Sequence, residues 1–375
     1  MDTKTIGIVG GGQLGRMLAQ AGRRLGFRTV VLDPTPESPA GQAAEVQIVG
    51  DFKDPEMVKK LGAEADFITF EIELADNAAL EELMREGKPV NPSPATLAVI
   101  KDKYEQKKFL RSHDIPTAEF VEVKNRKDAI KAGTEFSYPY VLKAKRDSYD
   151  GRGNATVENE AAVGVAIEKL KGRELYAEKW VPFTKELAVI AARGVSGEIV
   201  VYPVVETIHK DHICDTVLCP APIEENDKRK AESLARSVME HLSGQGVFGI
   251  EMFLIGDEVL VNEIAPRVHN SGHHTIEACE TSQFEQHIRA VTNMPLGSTR
   301  MVAPATVMVN ILGERLGPAE PKGIAEAEKI EGVKVHIYGK KETKPKRKMG
   351  HITAVADTLE VALARAKEAR AKISI

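Results

Sequence analysis

The stretch VFGIEMFLIGDEVLVNEIA (247–265) contains two apolar segments, each of which is interrupted by one glutamate. This pattern predicts an antiparallel hairpin with a turn at 256–258. If the loop has three residues, Glu251 lies opposite Glu263 and both carboxylates point from one face, where Asn262 adds a neutral oxygen. Opposed like charges require a cation between them, and oxygen ligands favour Mg²⁺ or Mn²⁺. A two-residue turn would instead shift the register and send Glu263 to the opposite face.

The remainder of the chain divides into regions of different periodicity. Residues 6–85 alternate strand and helix patterns, which is typical of a small parallel sheet covered by helices. A Pro-rich break at 89–96 follows, and one long helix is predicted over 94–112. From residue 115 onward, short strands with few helices favour an antiparallel α+β organisation. The sequence therefore predicts a mixed α/β and α+β fold of several domains.

The composition excludes several classes of partner. The 375-residue chain has a net charge of −4, so it has no general attraction for nucleic acid or for membranes. No apolar run approaches the roughly 18 residues of a membrane span, and the N-terminus lacks signal-peptide features. The three cysteines lack metal-ligand spacing and favour a reducing compartment. We therefore expect a cytoplasmic protein without nucleic-acid or membrane partners.

The segment IGIVGGGQLGRM (6–17) has the spacing Gly10-x-Gly12-x-x-Gly15 of a dinucleotide-binding loop, and Asp33 follows where an NAD ribose ligand would lie. An NAD-dependent oxidoreductase would also need an acid or base beside a nicotinamide, and no later pattern supplies one. A structural turn is the simpler interpretation. A third interpretation is that the loop and the following helix N-terminus receive part of another anionic ligand.

Three neighbouring segments have features of a nucleotide site. Lys143 lies in a predicted strand, and the polar, glycine-containing loop RDSYDGRGN (146–154) after it could cover phosphates. Trp180 and Val181 can pack against an adenine ring, and Glu186 can accept hydrogen bonds from ribose hydroxyls. The alternatives are an exposed strand lysine, an ordinary Asp-Gly turn and a tryptophan in the core.

Two further polar segments could contact a substrate. The loop APRVHNSGHHT (265–275) lies beside the predicted carboxylate pair. A zinc site made by its histidines is disfavoured, because no cysteine is near and the loop is not an HExxH helix. In YGKKETKPKRKMGH (338–351), six of the nine residues 340–348 are basic. They indicate either a solvated or nucleic-acid-binding patch or a pocket for a substrate phosphate, with Lys340 and Arg347 as donors.

Taken in order, these segments resemble the ATP-grasp superfamily and, within it, the 5-(carboxyamino)imidazole ribonucleotide synthetases of purine biosynthesis. The motifs that carry the resemblance span essentially the whole chain: GGGQLGRM, YDGRGN, EKW-PFTKELAV, ETIHKD-IC, NEIAPR-HNSGH and YGK-RKMGH. AEKW and ETIHKDHICD are most similar to the fungal branch, in which a mutase is usually fused after the synthetase. The resemblance implies a Rossmann-like pre-ATP-grasp domain (1–100), a central lid domain (101–182), a C-terminal ATP-grasp domain with the metal site (183–300) and an extension that completes the phosphate site (301–375).

The resemblance also implies a reaction and a set of site residues. The enzyme would use ATP, Mg²⁺ (or Mn²⁺) and bicarbonate to carboxylate 5-aminoimidazole ribonucleotide through carboxyphosphate, usually as a homodimer. The resemblance assigns metal binding to Glu251 and Glu263, and it assigns catalysis to Asp150, Arg152, Arg267 and His269. ATP binding falls to Lys101, Lys143, Ser148, Tyr149, Asp150, Gly151, Gly153, Asn154, Glu178, Lys179, Trp180, Val181, Glu186, His209 and Asn262. Substrate binding falls to Gly12, Gln13, Leu14, Tyr149, Arg152, Arg267, His269, Asn270, Ser271, Lys340 and Arg347.

Two positions depart from the family pattern. Leu74 replaces the histidine that usually follows EIE, which removes a polar group at the cleft, and Val268 replaces the proline before His269, which relaxes a rigid turn. Neither belongs to the ATP or metal set, so we expect activity with altered substrate affinity. The nearest alternative is another ATP-grasp ligase, such as a formate-dependent glycinamide ribonucleotide transformylase or a D-alanine ligase, and a non-catalytic nucleotide-binding module is the other.

Overall fold

The computed structural model describes residues 3–147 and 153–375. The first unit comprises β1 (Thr5–Val9), α1 (Gln13–Arg24), β2 (Arg28–Asp33), β3 (Val46–Val49), α2 (Pro55–Glu64), β4 (Phe67–Phe70) and α3 (Asn77–Arg85). Its four strands form a parallel sheet in the order β3-β2-β1-β4, as the strand–helix alternation predicts. Strand β4 ends at Phe70, three residues earlier than the apolar pattern predicts, so Glu71 and Glu73 lie in the loop at the carboxyl edge of the sheet.

The predicted helix over 94–112 is two helices, α4 (Pro94–Lys101) and α5 (Lys103–Ser112). Asp102 separates them because its backbone is extended (φ −104°, ψ 109°) and its carboxylate accepts the N–H groups of Tyr104 and Glu105 as an N-cap. The same carboxylate pairs with Arg146 Nε at 3.0 Å. The break therefore gives α5 a direction of its own and anchors it to the segment that follows Lys143.

A second unit is a four-stranded antiparallel sheet in the order β5-β8-β6-β7. Its elements are β5 (Phe120–Val123), α6 (Arg126–Phe136), β6 (Tyr140–Ala144), β7 (Asn154–Val157), a 3-10 turn (Glu160–Ala162), α7 (Val163–Lys169) and β8 (Leu175–Lys179). Apolar side chains of both helices and of the sheet form one buried cluster, which includes Phe136, Tyr140 and Leu142. Strands β6 and β8 bring Lys143 and Glu178 to the same region of this sheet.

The largest unit is a nine-stranded sheet with the path β14-β13-β9-β11-β12-β15-β19-β17, and β10 adds to β9. Up to residue 312 its elements are β9 (Lys185–Arg193), β10 (Ile199–Val201), β11 (Val205–Lys210), β12 (Ile213–Cys219), α8 (Glu225–Leu242), β13 (Gly246–Ile255), β14 (Glu258–Ala265), a 3-10 turn (Asn270–Gly272), α9 (Thr275–Ala278), α10 (Gln283–Val291) and β15 (Ala305–Leu312). The remaining elements are β16 (Gly317–Pro318), α11 (Ile324–Ala327), β17 (Val333–Ile337), β18 (Glu342–Thr343), β19 (Lys348–Ala356) and α12 (Leu359–Lys372). Among the described helices, none is long and apolar enough to cross a membrane.

The C-terminal strands continue this sheet. Strand β15 pairs with β12, for example through Thr216 and Val309, and with β19 on its other side. Helix α12 covers these strands with Ala362, Ala366 and Ala369, which recur at helical spacing and are fully buried. The strand that starts at Lys348 is thereby held in the same sheet as the β13–β14 hairpin.

The β13–β14 hairpin combines a two-residue turn with a bulge. Ile255 pairs with Glu258, so the predicted three-residue loop is wrong. A two-residue turn alone would place Glu251 opposite Asn262, but the register shifts between Glu251 and Met252, which leaves Asn262 as the extra residue. Glu251 therefore pairs with Glu263, and the predicted opposition of the two carboxylates is confirmed.

One buried histidine links the first unit to the large sheet. His287, on α10, bonds Thr69 Oγ1 of β4 through Nε2 at 2.7 Å and accepts the Val247 N–H of β13 through Nδ1 at 3.0 Å. The acceptor role of Nδ1 requires a neutral ring with its proton on Nε2, and burial lowers the pKa of His287 to about 3. Protonation of this ring is therefore coupled to unfolding.

We predict that the free energy of unfolding falls as the pH drops below about 6.5, and that His287→Gln removes part of this dependence. In the unfolded chain the histidine takes up a proton near pH 6.5, whereas the folded chain resists until about pH 3, so stability is present above pH 6.5 and is lost on acidification. Between pH 7.5 and 5.5 this single group accounts for about 1 kcal/mol.

Urea unfolding at the two pH values measures this loss. His241→Gln, at an exposed position, serves as the matched control and should keep the wild-type dependence. An H287Q variant with the full wild-type pH dependence would contradict the assignment.

Candidate active site

The opposed carboxylates Glu251 and Glu263 lie at a cleft where their side chains are 31% and 39% exposed. Burial and the charge of Glu263 raise the pKa of Glu251 to about 7. Burial acts on Glu263 in the same direction, but Lys103 outweighs it and lowers the pKa, since Lys103 Nζ lies 2.7 Å from Glu263 Oε2. Lys103 thus compensates one of the two charges, and the pair can still hold a cation.

The described residues contain no group of three or more His, Cys, Asp or Glu side chains that could hold a metal ion. The histidines of the 265–275 loop have other partners: His269 Nδ1 bonds Ser271 Oγ at 2.8 Å, and His274 Nδ1 bonds the Ser271 carbonyl at 2.9 Å. Nothing in the geometry of this loop therefore supports the zinc alternative.

A second charge cluster lies one helical turn further along α5. Glu178 is 3% exposed and forms ion pairs with Lys143 and with Lys107, whose Nζ is 2.9 Å from Glu178 Oε2. Burial would raise the pKa of Glu178, but the two lysines outweigh it and lower the pKa to about 2. Asn154 pairs with Lys143 across β7 and β6. Lys143 on β6 and Lys107 on α5 therefore contact the same ionised carboxylate, that of Glu178.

The other predicted nucleotide residues surround the two clusters. Glu186 Oε2 lies 3.2 Å from His209 Nδ1, and this contact outweighs burial and raises the pKa of His209. Trp180 is 44% exposed, which rules out the core alternative, and Lys179 pairs with Glu119. Lys101 ends α4, and the contact with Glu263 is made by Lys103 on the following helix. Ser148, Tyr149, Asp150, Gly151 and Arg152 lie outside the described residues.

The 265–275 loop is held by a network of hydrogen bonds. Gln283 accepts the backbone N–H of His269 and donates to its carbonyl, and Asn270 exchanges amide hydrogen bonds with Asn310. Arg267 Nε donates to Glu73 Oε1 at 2.7 Å. Burial lowers the pKa of the His269 imidazole to about 3, and its Nε2 lies 3.4 Å from Glu251 Oε1. The loop therefore presents a neutral imidazole and a guanidinium beside the carboxylate pair.

The glycine loop already binds an anion, and this anion is a side chain of the protein itself. Gly12 and Gly15 donate their backbone N–H groups to the Glu71 carboxylate, and Gly11 donates to Asp33 Oδ2 at 2.8 Å. At Gly10 (φ +99°) an added Cβ would lie 2.7 Å from Glu71 Cγ. These N–H groups are the ones that a dinucleotide pyrophosphate would use, so the NAD interpretation is wrong.

Of the three predicted residues around this loop, Leu14 has its side chain in the apolar cluster with 7% exposure, and Gln13 begins α1. Gly12 supplies one of the N–H groups bonded to Glu71. A ligand contact from Leu14 is thus restricted to its backbone.

The basic segment at 340–348 is partly paired. Lys340 Nζ donates to the Lys348 carbonyl at 2.7 Å, and Arg347 Nη1 donates to the Glu342 carbonyl at 2.8 Å. Lys341 pairs with Glu37, and Lys346 with Asp211 at 2.9 Å. Burial, Arg267 and the charge of Lys348, the first residue of β19, all lower the pKa of His269.

Five residues of this region were missed by the sequence reasoning: Lys103, Lys107, Lys348, Glu71 and Glu73. Lys103 and Lys107 stand at an i, i+4 spacing on α5, a pattern that also describes a solvated helix face. Lys348 stands among five other basic residues with nothing to distinguish it. Glu71 and Glu73 continue the apparent strand pattern of FITFEIE, so this pattern does not indicate that β4 ends at Phe70.

Comparison with known proteins agrees with this architecture. Residues 3–101 match the ribonucleotide synthetase preATP-grasp domain, residues 108–284 the ATP-grasp domain, and residues 306–365 the phosphoribosylaminoimidazole carboxylase C-terminal domain. The chain is 48% identical to N5-carboxyaminoimidazole ribonucleotide synthetase from Thermotoga maritima, with a TM-score of 0.90 over 99% of both chains. It is 40% identical to the Aspergillus clavatus synthase solved with ADP and 5-aminoimidazole ribonucleotide, with a TM-score of 0.90 over 98% and 97% of the chains.

Curated relatives differ in length. The phosphoribosylaminoimidazole carboxylase of Ogataea methanolica is 44% identical over 96% of this chain, which spans 68% of that relative. The N5-carboxyaminoimidazole ribonucleotide synthase of Bacillus subtilis is 41% identical over 93% of this chain and 90% of its own length. The chain thus corresponds to about two thirds of the fungal proteins and to nearly all of the bacterial one.

The fold and the family match define an ATP-grasp protein, and its synthetase homologues are ligases that form a C–N bond with release of ADP. Within this class, the chain belongs to the N5-carboxyaminoimidazole ribonucleotide synthetase family, as its relatives and structural neighbours show. The predicted family, fold and enzyme class are confirmed, as is ATP-dependent carboxylation of 5-aminoimidazole ribonucleotide as the activity of the family.

Proposed function

We propose that this chain carboxylates 5-aminoimidazole ribonucleotide with bicarbonate and ATP to give 5-(carboxyamino)imidazole ribonucleotide, ADP and phosphate. The opposition of Glu251 and Glu263 next to Lys103 carries the proposal, because this arrangement suits the phosphate groups of ATP together with a divalent cation. The membership of the chain in the synthetase family supports the choice of substrate.

The carboxylate pair fits Mg²⁺, with Mn²⁺ as a substitute. Its donors are all oxygens, and the pKa of Glu251, raised to about 7 by burial and by Glu263, indicates one negative charge that the protein leaves without full compensation. Glu251 and Glu263 would hold the ion, which supplies neutralisation of phosphate charge when bound. Two protein ligands leave room for phosphate oxygens and water in the coordination shell.

The nucleotide lies, in this proposal, between the second unit and the large sheet. Lys143 and the loop 147–154 bind the phosphates, Lys179, Trp180 and Val181 line the adenine, and Glu186 with His209 holds the ribose. Three features support this arrangement: the exposed indole of Trp180, the Glu186–His209 pair and the position of Asn262 at the bulge next to Glu263.

In the first chemical step, an oxygen of bicarbonate attacks the γ-phosphorus of ATP. The bond from that phosphorus to the bridging oxygen breaks, and carboxyphosphate and ADP form. Arg267, fixed by Glu73, stabilises the new anion, with Lys348 as a second cation and Arg152 as the further candidate from the sequence. Closure of the loop 147–154 would exclude water from carboxyphosphate.

In the second step, the substrate amine attacks the carboxyl carbon, phosphate leaves, and the amine loses a proton. His269 and Asp150 are the candidate bases. The His269 ring is neutral, as a base must be, although its pKa of about 3 makes it a weak one. Loss of carbon dioxide from carboxyphosphate before the attack is the other route, and the same residues would serve it.

The ribonucleotide phosphate is assigned to Lys340 and Arg347. Arg347 uses one N–H group on the Glu342 carbonyl, and this contact orients its guanidinium. Asn270, Ser271 and the glycine loop would line the rest of this ligand. We further propose a cytoplasmic homodimer that works with a mutase, fused or separate, as the fungal motifs suggest.

ADP release tests the function directly. We expect release that requires both 5-aminoimidazole ribonucleotide and bicarbonate, with the carboxylated ribonucleotide as the product. Release with formate and glycinamide ribonucleotide instead would identify another ATP-grasp ligase, and binding of ATP without turnover would identify a non-catalytic module.

Glu263→Ala should lower ADP release by at least about 100-fold, because it removes one of two cation ligands and leaves Lys103 without its partner. Glu258→Ala, at the exposed end of the same hairpin, should leave turnover unchanged. Circular dichroism checks that both variants are folded. Near-normal turnover of E263A would remove the metal assignment.

Arg347→Ala should raise the KM for the ribonucleotide by about tenfold and change the KM for ATP by less than about threefold, because it removes a charge-assisted contact to the phosphate alone. Lys344→Ala, exposed in the same segment, is the control. A selective loss of ATP affinity in R347A would overturn the phosphate pocket.

A further inference from the structure

Lys107 is a buried charge with no part in the mechanism above. It lies on α5 with its side chain 2% exposed, between Glu178 at 2.9 Å and Thr117 Oγ1 at 2.7 Å. The Thr117 hydroxyl donates in turn to the Val261 carbonyl of β14 at 2.7 Å. The Lys107 ammonium is therefore held by Glu178 of the second unit and, through Thr117, by β14 of the large sheet. It has little freedom to reach a ligand.

Among the described residues, Glu178 has two lysine partners, and they differ in exposure. The Lys143 side chain, on β6, is 14% exposed and precedes the loop that is proposed to cover the phosphates, whereas the Lys107 side chain is 2% exposed. If Lys143 moves to a phosphate group, it has to leave Glu178. The side chain of Glu178 is 4% exposed, and a buried carboxylate without any cation is strongly disfavoured. Movement of Lys143 therefore requires a second cation that stays at Glu178.

We propose that Lys107 is a positioning residue for nucleotide binding: it stays on Glu178 as a permanent counterion and so allows Lys143 to leave Glu178 for the phosphates of ATP. The proposal rests on the nucleotide site proposed above. Without Lys107, the buried Glu178 would retain Lys143, and the phosphates would lose one of their cations. The adenosine part of the ligand would be affected much less.

Lys107→Met tests this, because methionine keeps most of the apolar stem and removes the charge. Binding of ATP and of adenosine is measured by calorimetry without ribonucleotide or bicarbonate. We expect the affinity for ATP to fall at least about tenfold and that for adenosine to change by less than about threefold. Lys108→Met is the matched control, because Lys108 is the next residue of α5 and pairs with Glu105 on the surface, away from Glu178.

The Glu178→Gln background distinguishes this effect from a simple loss of positive charge near the phosphates. With no carboxylate to compensate, Lys107→Met should change ATP affinity by less than about threefold when K107M/E178Q is compared with E178Q. A general electrostatic loss would persist in that background. The comparison also serves if K107M alone does not fold, since neither protein then carries an uncompensated carboxylate.

Three results would overturn the proposal: equal loss of ATP and adenosine affinity in K107M, no loss of ATP affinity, or a loss that persists in the Glu178→Gln background. The outcome is separate from that of the proposed function. Wild-type protein that binds ATP but carboxylates nothing would refute the function and leave this test intact. A K107M variant with wild-type ATP affinity would refute only the positioning of Lys143.

Discussion

Mutual repulsion of Glu251 and Glu263 is the constraint on which the arrangement of this cleft depends. A bulge at Asn262 forces the two carboxylates opposite one another, although the two-residue turn alone would separate them. The surrounding structure compensates only part of the repulsion, through Lys103 on one carboxylate and the weak contact of His269 with the other. A site that remains partly uncompensated in the free protein has a driving force to bind a cation and the phosphates that accompany it.

The N-terminal unit also contains a buried carboxylate, and here backbone N–H groups bind it. Its glycine loop and helix α1 form an anion site of the dinucleotide-binding type, but the carboxylate of Glu71 occupies it. Burial raises the pKa of Glu71 to about 7, against the opposing effect of the two glycine N–H groups. Glu73, two residues further along, holds Arg267. The loop after β4 thereby connects the glycine loop to the 265–275 loop.

Sequence reasoning succeeded where a pattern has one structural meaning. The strand–helix alternation gave the parallel sheet, and the motif order gave the family. It failed where two structures share one pattern. The apolar periodicity continues through Asp102, so the pattern does not show the capped break between α4 and α5, and Lys103 was not recognised beside the predicted Lys101. The opposition of the two glutamates was predicted correctly from an incorrect loop, because a bulge and an added loop residue shift the register by the same amount.

Helix α5 connects the two charge clusters of the cleft. Lys103 and Lys107 stand four residues apart, which is about one helical turn or roughly 6 Å along the axis. They contact Glu263 of the large sheet and Glu178 of the second unit, respectively. Because Asp102 at the start of the same helix holds Arg146, the end of β6 belongs to this rigid connection as well. A shift of the second unit relative to the large sheet would therefore have to change the charge pairing at both carboxylates. In the site proposed above, this helix would couple the position of the phosphates to the position of the cation.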